Sequence, residues 1–139
     1  MPALQEVMTE TVIAADATDS LTETAKQMRD NDIGDMPVLE GNKLTGVITD
    51  RDIVIRGLAE EKNPGNTKVS DVMTSKVITA SPDTDVREGV EQMQSHQVKR
   101  LFIVENEDLK GVVSTGDLAT NPQTKDIVDE VQSEIKKDQ

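Results

Sequence analysis

The sequence lacks several residue types on which whole classes of protein depend. Its 139 residues include no cysteine, no tryptophan, no tyrosine, one phenylalanine and one histidine. Without cysteine, disulfides, thiol catalysis and thiolate-bound metals are excluded. Without tyrosine and tryptophan, the aromatic platforms on which single-stranded nucleic acids stack are missing. The hydrophobic interior must therefore be built almost entirely from aliphatic side chains and methionine.

Basic residues are also scarce. The chain has 15 lysine and arginine residues against 27 aspartate and glutamate residues, for a formal net charge of −12. A nucleic-acid surface requires the opposite sign, so we expect no DNA or RNA partner. The N-terminus does not read as a basic and then apolar leader, and no apolar run approaches the ~20 residues of a membrane span. The composition predicts a soluble cytoplasmic protein without a membrane partner.

The most informative feature is an ungapped internal duplication. Residues 46–53 return at residues 111–118, 65 positions later, with glycine, two β-branched residues, a hydroxyl residue, two variable positions, aspartate and an aliphatic residue in the same order. The flanks match at the same spacing, including Val-Met-Thr at residues 7–9 and 72–74. We therefore predict repeat 1 at residues 1–58, a linker at 59–69, repeat 2 at 70–120 and an amphipathic helical tail at 121–139.

Each repeat predicts the element order β-α-β-β-α, which makes the fold class mixed α/β. A short strand is expected at residues 12–13 and again at 77–78, and each is followed by a helix with apolar residues at helical spacing. In repeat 1 this stripe is Leu21, Ala25 and Met28. A hairpin of two strands comes next, and the duplicated motif leads from its second strand into the closing helix.

The ends of the closing helices differ between the repeats. Gly57 is predicted to stop the helix of repeat 1, and residues 121–122, Asn-Pro, stop that of repeat 2 sooner. The tail then places Ile127, Val128, Val131 and Ile135 on one face of a further helix. That apolar face is expected to pack on its own domain or on a second subunit.

The duplicated motif offers hydrogen-bonding groups that suit a ligand with a diol and a phosphate. An aspartate one turn into the helix, Asp52 or Asp117, can accept hydrogen bonds from two adjacent hydroxyls. Thr49 or Ser114, with the free amides of the helix start, can donate to a phosphate. The alternative is purely structural, because Thr-x-x-Asp and Ser-x-x-Asp also satisfy a capping box.

The two copies differ in charge near this motif. Lys99 and Arg100 precede the first hairpin strand of repeat 2, where Arg100 could pair with a phosphate and Lys99 could supply a point charge. The alternative is that both are solvated or salt-bridged. Repeat 1 has Gly-Asp at the matching positions, and its Asp35 and Asp50 would repel a phosphate. Arg51 is a further phosphate candidate.

No catalytic or metal-binding residues are predicted. His96, the only histidine, is expected at the surface or at a helix end. Asp50 and Asp52 are two positions apart and would not face each other on a helix, so they make a poor acid–base pair. No cofactor is required, and Mg²⁺ is expected only together with a bound nucleotide.

The doubled β-α-β-β-α order, the Val-Met-Thr openings, Met-Pro-Val at residues 36–38 and the Gly-h-h-Thr-x-x-Asp junction (h, hydrophobic) occur together. This pattern resembles the tandem CBS domain pair, or Bateman module, from about residue 4 to residue 118. Residues 44–58 look particularly like small stand-alone bacterial CBS-pair proteins, including the actinobacterial hypoxia-response type. The resemblance implies two repeats packed around a pseudo-twofold axis with two equivalent clefts between them. Such modules commonly bind AMP, ADP, ATP or S-adenosyl compounds in these clefts and commonly pair into homodimers.

On this basis we expect a non-enzymatic regulatory module that binds an adenine nucleotide between its repeats. It would signal to an effector protein through a change of conformation or association. The predicted ligand-binding residues are Thr49, Arg51, Asp52, Ser114, Asp117, Lys99, Arg100, Val12, Ile13, Val77 and Ile78, of which the last four would border the base. The alternative function is a constitutive dimeric scaffold or stress protein in which both aspartates only cap helices.

Overall fold

The chain forms two compact units whose boundaries differ from those of the sequence repeats. The computed structural model describes residues 2–137, with side chains for residues 2–134. The repeat-1 unit runs from Ile13 to Val77, and the repeat-2 unit joins the residues up to Val12 to those from Ile78 onward. The opening segment of each repeat therefore belongs to the unit that holds the other repeat.

The repeat-1 unit follows the predicted order of elements. They are β1 (Ala15–Asp16), α1 (Leu21–Asn31), β2 (Asp35–Glu40), β3 (Lys43–Thr49), α2 (Asp50–Asp52), a π-helical segment (Ile53–Leu58) that continues α2, and a 3-10 turn (Val69–Asp71). Strand β2 lies in the middle, parallel to β1 and antiparallel to β3.

The repeat-2 unit has the same order and the same strand directions. Its elements are a 3-10 turn (Leu4–Glu6), β4 (Thr79–Ala80), α3 (Val86–Ser95), β5 (Arg100–Glu105), β6 (Asp108–Ser114), α4 (Thr115–Thr120) and α5 (Lys125–Lys137). Strand β5 is parallel to β4 and antiparallel to β6. The predicted fold class, mixed α/β with two β-α-β-β-α repeats, is confirmed.

In the repeat-2 unit, Gly111 makes room for the opening segment of repeat 1. Thr9 and Val112 exchange two backbone hydrogen bonds, with N···O distances of 2.9 and 3.0 Å. A Cβ at Gly111 would lie 2.6 Å from Met8 Sδ and 2.8 Å from the carbonyl oxygen of Thr9. Any larger residue at this position would therefore push the two backbones apart.

Gly46 has the same role in the repeat-1 unit. Its Cβ would lie 2.6 Å from Met73 Sδ and 2.8 Å from the carbonyl oxygen of Thr74. Thr74 in turn exchanges backbone hydrogen bonds of 2.9 Å with Val47. In each unit, the motif glycine of one repeat thus packs against the Val-Met-Thr segment of the other repeat.

Each unit has its own aliphatic core, and the 3-10 turn that opens the other repeat contributes to it. Leu4 joins the core of the repeat-2 unit, and Val69 and Val72 join that of the repeat-1 unit. Burying each of these side chains stabilises its unit by roughly 1.5–3 kcal/mol. The other buried residues of the repeat-2 core are Val86, Val90, Met93, Leu101, Ile103, Val113, Leu118, Val128 and Val131. Those of the repeat-1 core are Ala15, Ala17, Leu21, Met28, Met36, Val38, Ile48 and Ile53.

The predicted positions of the two short strands are wrong. Strand β1 begins at Ala15 and β4 at Thr79, so neither contains the residues predicted for it, at 12–13 and 77–78. The chain passes from one unit to the other between Val12 and Ile13 and again between Val77 and Ile78. At these crossing points the chain makes no strand pairing, which starts beyond them at Ala15 and Thr79.

The prediction that Gly57 stops a helix is also wrong. The π-helical segment continues through Leu58, and Ala59 is its C-cap. Gly57 is buried, and a Cβ there would lie 2.8 Å from Leu21 Cδ1, so the glycine allows close packing against α1.

Ala25, predicted for the buried stripe of α1, is exposed, and Thr24 is buried instead. In repeat 2 the predicted end is confirmed, with the C-cap of α4 at Asn121.

The predicted helix of the tail forms as α5 and packs within the repeat-2 unit. Val128 and Val131 are buried in its core, Ile127 is partly buried, and Ile135 lies outside the described side chains. From α3, Arg87 donates to Glu130 at 2.9 Å and to Glu134. The hydrogen bond to Glu130 and the charge of Glu134 raise the pKa of Arg87 above its ordinary value. No helix in the described part of the chain is long and apolar enough to span a membrane.

Candidate functional site

The duplicated motif places its hydroxyl residue at the end of a strand and its aspartate in the first turn of the following helix. Thr49 ends β3 and Asp52 ends α2, whereas Ser114 ends β6 and Asp117 lies in α4. The strand-to-helix junction predicted from the sequence is confirmed in both repeats. We call these two places the repeat-1 junction and the repeat-2 junction.

In the repeat-2 unit, the start of β5 lies against the repeat-2 junction. Arg100 is the ladder partner of Ser114, and the backbone N–H of Thr115 donates to the carbonyl of Lys99 at 2.9 Å. Four of the predicted ligand-binding residues, Lys99, Arg100, Ser114 and Asp117, therefore come together at one end of this sheet.

The repeat-1 junction is built in the same way from different side chains. Asp35 is the ladder partner of Thr49, and the backbone N–H of Asp50 donates to the carbonyl of Gly34 at 2.9 Å. A Cβ at Gly34 would lie 3.0 Å from Asp50 Oδ2, so the Asp50 carboxylate occupies the space beside this glycine. Asp35 thus takes the position that Arg100 has in the repeat-2 junction, and the Asp50 carboxylate adds a second acidic group beside Gly34, the residue that matches Lys99.

The repeat-1 junction is a closed capping box. Thr49 Oγ1 accepts a hydrogen bond from the N–H of Asp52 at 3.0 Å, and Asp52 Oδ2 accepts one from the N–H of Thr49 at 3.1 Å. Asp52 is only 9% exposed, and its Oδ1 lies 3.9 Å from Arg56 Nη1. The same Arg56 nitrogen donates to the carbonyl of Met73 at 3.0 Å. Both oxygens of Asp52 therefore face groups of the protein itself.

The repeat-2 junction is only half closed. Ser114 Oγ accepts a hydrogen bond from the N–H of Asp117 at 3.1 Å, which caps α4. Asp117 is exposed, and its carboxylate makes no hydrogen bond or ion pair with any residue in the described part of the chain. Its two oxygens can therefore accept hydrogen bonds from a ligand, which is the arrangement that a ribose diol requires.

The remaining predicted residues are divided between the units. Arg51 is exposed in α2. Val12 and Ile78 belong to the repeat-2 unit and Ile13 and Val77 to the repeat-1 unit, so each unit has two members of this apolar set. Ile78 packs partly on the repeat-2 core, and Ile13 is 39% exposed.

Arg56 is the residue of these junctions that the sequence analysis missed. It follows Asp52 by four positions, the spacing at which side chains on one helix face meet, and that spacing could have identified it. The structure places His96 at the C-cap of α3, with Nδ1 2.9 Å from the carbonyl of Gln92, in agreement with the predicted helix-end position. Among the described residues, no three His, Asp or Glu side chains form a cluster that could hold a metal ion.

Comparisons with known proteins identify the family. The family model of the CBS domain matches residues 4–58 and 69–122. The uncharacterized protein YlbB of Bacillus subtilis is 35% identical over 137 residues, which cover 97% of this chain and 92% of YlbB. Hypoxic response protein 1 of Mycobacterium tuberculosis is 30% identical over 120 residues, which cover 86% of this chain and 84% of that protein.

Solved structures share the fold. A crystal structure of Hypoxic Response Protein I with two coordinated zinc ions is 30% identical, with a TM-score of 0.76, and the match covers 86% of this chain and 98% of that one. The CBS domain pair of protein MJ0100, in complex with 5′-methylthioadenosine and S-adenosyl-L-methionine, is 26% identical, with a TM-score of 0.72 and coverages of 86% and 94%. With its two matched domains, its doubled strand-to-helix junction and these relatives, the chain belongs to the CBS domain family and carries a pair of CBS domains.

Proposed function

We propose that this chain is a regulatory module that binds an adenine nucleotide and that the repeat-2 junction is its principal contact with the ligand. The observation that carries this proposal is the exposed Asp117 carboxylate, unbonded within the described chain, beside Ser114 and Lys99. The adenosine part of this ligand is supported by the MJ0100 CBS pair, whose two bound compounds both contain adenosine.

The chemistry of the repeat-2 junction matches the polar parts of a nucleotide. The two oxygens of Asp117 accept hydrogen bonds from the ribose diol. Ser114 Oγ accepts from the N–H of Asp117, so its own hydroxyl proton can be donated to a phosphate oxygen. Lys99 and Arg100 add positive charge at the start of β5, where the phosphate of a ligand seated on Asp117 would lie within reach.

The repeat-1 junction is proposed to bind the same ligand more weakly. A ribose diol would have to compete with the Thr49 N–H and with Arg56 for the oxygens of Asp52. Hydrogen bonds to a charged group contribute about 1.5–3 kcal/mol each, so displacing one costs much of the affinity that the ligand would gain. Asp35 and Asp50 also repel a phosphate here. The position of the ligand between the repeats, and a Mg²⁺ ion accompanying it, belong to the same proposal.

The proposed output is regulatory and not catalytic. A ligand shifts an equilibrium only when it binds two states with different affinity, so nucleotide binding must change the conformation or association of the protein that an effector recognises. A homodimer is part of this proposal, and it is supported by Val54, Ile55 and Leu58, which are 51%, 47% and 52% exposed on one short helical segment. Clustered apolar side chains of this kind favour association with a second copy. The cytoplasmic location stays a prediction.

Isothermal titration calorimetry with AMP, ADP, ATP, S-adenosylmethionine and NAD tests the proposal, using the wild type, Asp117→Ala and Asp52→Asn. At least one ligand is expected to bind the wild type saturably. Asp117→Ala is expected to weaken that binding by roughly 10- to 150-fold, the equivalent of one lost charge-assisted hydrogen bond of about 1.5–3 kcal/mol. Asp52→Asn is the matched control, since the asparagine oxygen can still accept from Thr49, and its effect is expected to be much smaller.

Two results would count against the proposal. If none of the five compounds binds the folded wild type, the sensor function is wrong and the constitutive scaffold is favoured. If a ligand binds but Asp52→Asn weakens it as much as Asp117→Ala, the preference for the repeat-2 junction is wrong.

A further inference from the structure

We propose that the repeat-2 unit contains a second ligand site, a pocket beneath α5 for a small neutral molecule with an apolar body and one hydrogen-bonding group. The pocket has a volume of about 220 Å³ and lies among α3, α4 and α5. Asp117 does not line it, and the inference does not depend on nucleotide binding at the repeat-2 junction.

The floor of the pocket is apolar and reaches the core. It is formed by Val90, Met93, Leu118 and Val128, none of which is more than 5% exposed. The pocket therefore offers an apolar surface, continuous with the core, to a ligand that enters from solvent. An engineered apolar cavity of roughly 150 Å³ in another protein binds benzene. The present pocket is therefore large enough for one ring, or for a short alkyl chain, with a polar group attached.

The rim of the pocket supplies hydrogen bonds but no charge. Its polar side chains are Gln94 of α3, Thr115 of α4 and Gln132 of α5. Amide and hydroxyl groups both donate and accept, so they suit a hydroxyl or a carboxamide on the ligand. None of the described residues that line the pocket is charged. An ionised ligand would lose its hydration there without gaining a partner of opposite charge, so a neutral ligand is favoured.

Two small residues keep the mouth of the pocket open. A Cβ at Gly116 would meet no atom within 4 Å, and Ala119 lies one turn further along α4. The matching residues of repeat 1 are Arg51 and Val54, which are larger. The third wall, α5, also follows repeat 2 only, because the described residues after the π-helical segment of repeat 1 form no such helix. The pocket is therefore a property of repeat 2 and not of the repeated unit.

Side-chain methyl NMR tests the site directly on the full chain. Benzyl alcohol serves as the probe, and toluene serves as the matched probe without the hydroxyl. Saturable shifts are expected at Met93 and Ala119 with benzyl alcohol, and weaker binding is expected with toluene. Gly116→Leu and Ala119→Leu are expected to fill the pocket and to weaken benzyl alcohol binding at least about tenfold, a loss of about 1.4 kcal/mol. Val54→Leu, at the position of repeat 1 that matches Ala119, is expected to leave binding unchanged.

The proposal fails if the shifts do not saturate, or if both filling variants bind benzyl alcohol as the wild type does. Equal binding of toluene and benzyl alcohol would overturn the role assigned to the polar rim. If Ala119→Leu does not unfold cooperatively, Gly116→Leu decides the question, because a Cβ at Gly116 meets no neighbouring atom.

Discussion

Asp52 and Asp117 occupy the same position in two copies of one motif, yet their carboxylates have different partners. Asp52 accepts from the Thr49 N–H and lies near Arg56, whereas Asp117 makes no such contact with the described residues. The residue that matches Arg56 in repeat 2 is Asn121, which ends α4 instead of extending it. A hydroxyl-x-x-Asp pattern thus ensures that the hydroxyl caps the helix, while residues beyond the pattern decide whether the aspartate is available to a ligand.

The helices that follow the two junctions also differ, in how far other elements cover them. In the repeat-2 unit, α5 packs against α3 and α4 and covers them. In the repeat-1 unit, the π-helical segment exposes Val54, Ile55 and Leu58. Repeat 2 therefore has an available carboxylate, that of Asp117, and helices that α5 covers. Repeat 1 has an occupied carboxylate, that of Asp52, and an uncovered π-helical segment. The four predictions below separate what the two copies share from what distinguishes them.

Filling the motif glycine is expected to have the largest effect, and the same effect in both repeats. Gly46→Val and Gly111→Val would each drive a side chain into a backbone carbonyl 2.8 Å from the Cβ position, which cannot move without breaking the adjacent bridge. We expect a loss of about 3 kcal/mol in the free energy of unfolding, measured with urea. Gly116→Ala is the control and is expected to be neutral or to stabilise by up to about 1 kcal/mol, because its Cβ meets no atom and alanine favours the helix. A fully stable Gly111→Val variant would contradict the role of Gly111 in making room for the opening segment of repeat 1.

A charge on the uncovered helix of repeat 1 is expected to break the proposed homodimer. Leu58→Glu removes an apolar contribution of about 1.5–3 kcal/mol and should raise the dissociation constant at least about tenfold. Sedimentation equilibrium measures this constant. Gln123→Glu adds the same charge at the matching position of repeat 2 and is expected to leave association unchanged. A wild type that stays monomeric at every concentration would show that the homodimer is not formed.

Removing the two junction aspartates is expected to separate their structural roles. Asp52→Ala should lower the free energy of unfolding by about 1 kcal/mol, since the reciprocal half of a capping box is lost. Asp117→Ala should change it by no more than about 0.5 kcal/mol, because the carboxylate is exposed and has no partner among the described residues. Thermal unfolding without ligand measures both. Equal losses would mean that Asp117 has a structural role that its geometry does not show.

Loosening α5 is expected to have the smallest effect. Arg87→Gln removes the ion pairs with Glu130 and Glu134 on the surface and should lower the free energy of unfolding only slightly, by an amount that decreases as salt is added. Amide hydrogen exchange in α5 should become faster, while exchange in the repeat-1 unit should not change. Arg29→Gln is the control, because Arg29 pairs with Asp30, its exposed neighbour in the chain. A larger loss for Arg29→Gln than for Arg87→Gln would contradict the role assigned to Arg87.

Much of the fold could be predicted because its rules are local. The order of strands and helices follows from residue spacing, and the junction helix follows from a hydroxyl placed to cap the backbone N–H three residues later. The errors lie where a distant contact overrides a local preference. Gly57 has the composition of a helix end, but Leu21 of α1 packs closely against it and the helix continues. Val12, Ile13, Val77 and Ile78 have strand propensity, but they lie where the chain changes units.

By itself, the sequence determined that the chain is a duplicated α/β unit of the CBS family, with a hydroxyl-x-x-Asp junction in each copy and without cysteine chemistry. These properties depend on residues within one turn or one strand of each other, so a linear pattern records them. Only the tertiary structure decided that each repeat gives its opening segment to the other unit, that Asp117 and not Asp52 is available, and that a pocket opens beneath α5. Those outcomes depend on contacts between residues far apart in the chain, where small differences such as Arg56 against Asn121 or Arg51 against Gly116 change which groups meet.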